Sequence, residues 1–158
     1  MKKILLSTFF IFFVQICFGQ ELRIITGKVI DSNLEELPLV DIMINDTIKI
    51  GATDFNGNFK LQVNLNTEKL IFRYVGCDLT PVILKPDCNN LDIVMLLSPT
   101  YCFYKPKKVE RLRKKRFQTL PLLYKSAYKK GVFKSLDSCG DIQYVPIFNL
   151  DNRNKPSP

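Results

Sequence analysis

Gly51-Ala52-Thr53-Asp54-Phe55-Asn56-Gly57-Asn58-Phe59-Lys60-Leu61-Gln62-Val63 is the stretch whose reading settles the fold. Its second half alternates Phe59, Leu61 and Val63 with Lys60 and Gln62, the period of two that buries one side of a β-strand. Its first half is turn chemistry. Asp54 is placed to accept backbone amides, and Gly57 tolerates the positive φ that a tight turn requires. Ile48 to Thr53 reads as the strand entering that turn, so the whole stretch is a strand–turn–strand unit.

The same signals recur on both sides of it. Ile24 to Asp31 forms a first strand, stopped by Ser32-Asn33. Val40 to Asn45 sets Val40, Ile42 and Ile44 on a buried face against Asp41, Met43 and Asn45 on the other. Leu70 to Tyr74, Val82 to Leu84 and Leu91 to Leu97 follow, and no helical period of useful length intervenes. Short strands with turns every 8–12 residues predict an all-β, seven-stranded antiparallel sandwich of the immunoglobulin-like kind between residues 20 and 98.

Four motifs sharpen that expectation: Gly27-x-Val29-x-Asp31, Pro38-Leu39-Val40, Gly51-x-Thr53-Asp54-x-x-Gly57-x-Phe59-x-Leu61, and Leu70-x-Phe72-x-Tyr74-Val75-Gly76. Together they resemble the carboxypeptidase regulatory-like domain over residues 24–97, with Thr53, Asp54, Gly57 and Phe59 as the most specific part. The resemblance implies a transthyretin-like sandwich of exported Gram-negative proteins. That family is found alone, beside metallocarboxypeptidases, or at the N-terminus of TonB-dependent outer-membrane receptors. It also implies that Thr53 to Phe59 is structural and that Phe59 and Phe72 fill the core. The chain departs from the family pattern at Asp46-Thr47, at Leu34-Glu35-Glu36 in place of a glycine-rich turn, and at Cys77 in place of an aromatic residue.

The N-terminus predicts export. Lys2 and Lys3 precede an apolar run from Ile4 to Ile16, and Cys17-Phe18-Gly19 supplies a small-x-small cleavage pattern. The run is shorter than the about 20 residues a membrane-spanning helix needs, which disfavours an uncleaved anchor. Ile16 disfavours lipid attachment at Cys17. Residues 1–19 are therefore read as a signal peptide, with the mature protein in the periplasm or at the outer membrane. The mature chain keeps Cys77, Cys88, Cys102 and Cys139, an even number that favours disulfides in an oxidising compartment. Cys77 and Cys88 bracket one strand, up to 11 × ~3.3 Å apart, beyond the reach of a disulfide. The expected pairs are Cys77 with Cys102 and, by default, Cys88 with Cys139.

The sequence holds no histidine. A metallocarboxypeptidase zinc site and the transthyretin-related hydrolase chemistry both depend on imidazoles, and a serine or cysteine nucleophile lacks its commonest base. Calcium at Asp54-x-Asn56-Gly57-Asn58 is disfavoured by an early glycine and by Leu65 where a bidentate Glu would close an EF-hand loop. Glu35-Glu36 sits in a turn. No catalytic residue, metal or cofactor is expected.

Charge divides the chain near Ser98-Pro99. Residues 20–99 carry 7 − 11 = −4 and residues 100–158 carry 14 − 4 = +10. In this basic extension, residues 99–158, Pro106 is placed to open a helix running to Leu120, ended by Pro121. A second helix is expected from Leu122 to Lys130, with Gly131 after it. Val109, Leu112, Phe117 and Leu120 form the thin apolar stripe of the first helix. Lys107, Lys108, Arg111, Arg113, Lys114, Lys115 and Arg116 make a candidate anionic-surface patch. Three readings of that patch compete: a solvated helix docked on the sandwich, attachment to anionic lipid or lipopolysaccharide, and, disfavoured by export, nucleic-acid binding. The functional expectation is a non-catalytic binding or adaptor module of the cell envelope. Its partner would be another envelope protein such as an outer-membrane receptor or transport system, with binding of an anionic surface through the extension as the alternative.

Overall fold

The computed structural model describes residues 21–44, 47–136 and 138–147. The signal peptide read at 1–19, with Cys17, lies outside the described residues, as does the chain from 148 onward. The order of elements is β1 (Leu22–Asp31), β2 (Asp41–Ile44), β3 (Ile48–Ala52), β4 (Asn58–Asn64), β5 (Lys69–Arg73), β6 (Thr80–Leu84), β7 (Ile93–Met95), α1 (Pro106–Phe117), α2 (Leu120–Lys129) and β8 (Gly140–Ile142). They form two sheets, β4-β1-β7 and β3-β2-β5-β6-β8.

The inward faces of both sheets share one core. Ile25, Val29, Phe59, Leu61, Val63, Ile93 and Met95 come from the first sheet, and Ile42, Leu70, Phe72, Val82 and Leu84 from the second. Phe59 and Phe72 meet across the gap with ring centroids 5.5 Å apart, as the motif reading implied. β4 alternates buried and exposed residues along its whole length, and β1 does so only in its first half. The second half of β1 loses the alternation because a second core covers its outer side. There Ile30, Val94 and Leu96 pack with Leu120, Ala127 and Phe133. The helices thus add a third layer over the outer face of the smaller sheet.

Two expectations about the strands are corrected. β1 and β7 run parallel, pairing Val29 with Ile93 and Asp31 with Met95, so the sandwich is not wholly antiparallel. The reason is topological. β6 lies in one sheet and β7 in the other, and the crossover returns β7 in the direction of β1. An eighth strand, β8, comes from the basic extension and pairs antiparallel with β6 through Ile83 and Asp141. Met43, read as outward, is buried, and it pairs with the likewise buried Ile71 of β5.

The helices also differ in one boundary. α1 starts at Pro106 as read but stops at Phe117, and Pro121 sits in the first turn of α2 rather than ending α1. A proline there costs nothing, since the first amides of a helix have no intrahelical acceptor. Gly131, at φ +72°, follows α2 as the left-handed residue its C-terminus needs.

Candidate functional site

The Thr53–Phe59 motif is a structural knot. Thr53 Oγ1 accepts from the Val40 amide at 2.9 Å and donates to the Leu37 carbonyl at 2.7 Å. Asp54 Oδ1 accepts from the amides of Asn56 at 2.9 Å and Asn58 at 2.7 Å. The Asn58 amide, more than any other group, holds the Asp54 carboxyl below its ordinary value. Gly57 has φ +73°, and a Cβ there would lie 2.5 Å from the Val29 carbonyl oxygen. The oxygen that a calcium ion would want from Asp54 is already engaged with its own turn. Asp31 does similar work in the next connection, where its Oδ1 accepts from the Asn33 and Glu35 amides and closes the turn that lacks glycine. Leu34 adopts φ +69° there.

Of the two expected disulfides one is formed. Cys88 and Cys139 are bonded, with α-carbons 5.0 Å apart, tying the β6–β7 connection to the residue before β8. The Cys77–Cys102 bridge is corrected: both thiols are free. The Cys77 backbone pairs with Leu97 in an isolated β-bridge, but the chain beyond Leu97 turns toward α1 and leaves Cys102 exposed. Burial, then the nearby Asp31 and Asp78 carboxylates, pushes the Cys77 thiol up to about 11. At neutral pH the protonated thiol is therefore the favoured form.

The cationic patch separates into two groups. Lys107, Lys108, Arg111, Lys114 and Lys115 are exposed. Arg113 and Arg116 face inward, correcting their assignment to the patch. Arg116 reaches Asp78 at 3.0 Å and also donates to the Leu97 carbonyl. Arg113 lies 3.4 Å from Asp78 and 3.8 Å from Glu110, and donates to the Val145 carbonyl at 3.0 Å. Glu110 in turn accepts from the Tyr144 hydroxyl and, at 3.3 Å, from the Ile147 amide. Burial, followed by that bond to Glu110, pushes the Tyr144 phenol up to about 12. Two acids and two arginines thus pin α1 between the β5–β6 connection and the 143–147 segment.

Sequence reasoning missed Asp78, Glu110 and Tyr144. One signal for them existed: Glu110, Arg113 and Arg116 recur every three residues beside Val109, Phe117 and Leu120, so the buried stripe of α1 is partly ionic. It also missed Asp92, which accepts from the Lys28 amide at 3.1 Å and whose carboxyl is raised by burial. The Asp92 carbonyl accepts from Tyr124 and Ser138 at 2.9 and 3.0 Å, docking α2 and the chain before β8 onto β7. Burial drives the Tyr124 phenol far above its ordinary 10.0.

An open cleft of about 770 Å³ lies between the α1–α2 junction and β8, walled by Phe117, Leu120, Pro121, Tyr124, Leu136 and Ile142, with Lys85 and Lys125 at its rim. Among the described residues, no group of three or more Cys, Asp or Glu is arranged to hold a metal ion.

The two sheets and the Thr-Asp-x-x-Gly-x-Phe turn between β3 and β4 define a β-sandwich domain. Within it, residues 25–101 match the family model of the CarboxypepD_reg-like domain and carry that domain; the match covers just under half of the chain. No curated protein matches the sequence.

Proposed function

We propose that this protein is a non-catalytic binding module of the bacterial cell envelope, exported by a cleaved signal peptide and presenting its sandwich to an envelope protein such as an outer-membrane receptor or transport system. One observation carries the reading: the buried polar side chains Asp31, Thr53, Asp92, Glu110 and Arg113 each bond to backbone groups or to one another. These five side chains are engaged in holding the fold, which favours a function carried by the surface. Affinity isolation from an envelope fraction tests this. Recovery of a defined envelope protein supports the module, while recovery of none, or turnover of a substrate in a hydrolase panel, counts against it.

A second reading rests on α1. Its five exposed cations suit the anionic lipid or lipopolysaccharide of an envelope surface. Charge reversal at Lys107, Lys108 and Arg111 is expected to abolish binding to anionic vesicles, and binding is expected to fall as salt rises.

A further inference from the structure

The strand directions gather four connections at one end of the sandwich. Asp41, Ala52 and Arg73 are paired across β2, β3 and β5, so Leu39, Phe55 and Val75 all lie just beyond that row. β7 ends at the same level, since Met95 pairs with Asp31, and the Ser98 amide donates to the Gly76 carbonyl at 2.7 Å. The chain leaving β7 then passes through Phe103 and Tyr104 into α1. Each of these connections carries an apolar side chain into solvent: Leu39 is 62 % exposed, Phe55 82 % and Val75 95 %, and Phe103 is wholly exposed. The turns beneath them are closed. Asp54 and Gly57 fix the turn under Phe55, and Gly76, at φ +84°, fixes the one under Val75. Exposed apolar tips on fixed turns carry little ordering cost on binding.

Beside this end lies the cationic helix. Arg113 and Arg116 hold α1 to Asp78, three positions after Val75, and Lys108 Nζ sits 4.0 Å from the centroid of the Tyr104 ring. The carboxylates nearby are largely compensated: Asp54 by its turn amides, Glu36 by Lys28, Asp41 by Lys49 and Asp78 by α1. Glu35 is exposed. The opposite end is mainly polar, with Asn64, Asn66, Asp87, Asn89 and Asn90 around Ile48 and Leu65.

We infer that this end of the sandwich, with Leu39, Phe55, Val75 and Phe103 as inserted tips and the exposed lysines of α1 as headgroup contacts, docks on an anionic lipid surface. The inference rests on the second reading above and adds the orientation. Apolar and aromatic side chains enter the acyl boundary while ammonium groups meet phosphates at its rim, which neither feature achieves alone. A bare cationic helix binds such a surface through charge only, and salt releases it.

The chain contains no tryptophan, so Phe55→Trp provides a single reporter. Vesicles of phosphatidylcholine with phosphatidylglycerol, compared with phosphatidylcholine alone, are added to the exported protein carrying that substitution, with Asn66→Trp at the opposite end as control. A blue shift and quenching by brominated lipid at position 55 and not at 66, on the anionic vesicles, is the expected result. Combining Phe55→Ser with Val75→Ser should lower partitioning at least about tenfold, since both substitutions remove apolar area that the acyl boundary would bury. Binding with no shift at 55, or equal shifts at both positions, overturns the orientation while leaving charge-driven attachment standing. Absence of binding to anionic vesicles removes the second reading and this inference together. A shift at 55 produced by an added envelope protein but not by lipid overturns the inference in favour of a protein partner at this end.

Discussion

Thr53 shows how much one hydroxyl can hold. It is buried, and its single oxygen satisfies both an amide and a carbonyl of the β1–β2 connection. Thr53→Val keeps the shape and leaves both groups unpaired, so thermal unfolding should report a loss of about 1–3 kcal/mol, while Thr53→Ser should cost less. The two free thiols should behave oppositely. A maleimide at neutral pH is expected to modify Cys102 promptly and Cys77 only on unfolding, which peptide mapping by mass spectrometry will resolve; fast modification of Cys77 in the folded protein would contradict its burial. At this scale the motif was fully legible: Asp54, Gly57 and Phe59 do what their residue types suggest. Asp78 was not, because nothing in the sequence near a lone aspartate shows which arginines will fold back onto it.

Elements were legible where one partner decides them. β4 has one buried face and alternates as read, whereas β1 is buried on both sides at its end because α2, nearly 100 residues later, covers Ile30. That contact is non-local, and the period of two cannot carry it. α1 was misread in part for a related reason: its inward stripe includes Glu110, Arg113 and Arg116, whose charges look like solvent residues until Asp78 and Tyr144 supply partners. Asp78→Ala removes the shared anion, leaving Arg116 without its carboxylate and Arg113 with Glu110 alone. The expected loss is about 3 kcal/mol in denaturant unfolding, with faster hydrogen exchange in α1 and 143–147. Tyr144 adds a pH signature. Its phenol is raised from 10.0 to about 12 in the folded protein, so the folded state holds the proton more tightly. That contribution is whole below pH 10 and is lost as pH rises toward 12; Tyr144→Phe should remove this part of the alkaline destabilisation, read from unfolding midpoints across that range.

At the scale of the molecule, the basic extension does not trail from a finished sandwich. It supplies β8 to the larger sheet, a helical layer to the smaller one and half of the Cys88–Cys139 bridge, which spans 51 residues. Reducing that bridge is expected to lower stability by about 4 kcal/mol on loop-closure grounds and to raise exchange in β8 first. The charge step at residue 98 had suggested an appendage, since composition records solvent-facing residues and not the Ile142, Leu120 and Phe133 that pack inward. The resulting body has buried polar side chains such as Thr53 and Arg113 bonded internally, and it carries apolar tips and cations outside. Amine- and carboxylate-reactive crosslinking of living cells that express the protein, read by mass spectrometry, tests that assignment most directly. The account predicts reproducible crosslinks from the lysines of α1 or the sandwich connections to one envelope protein. Crosslinks only to cytoplasmic proteins, with the N-terminal residues 1–19 still attached, would contradict it.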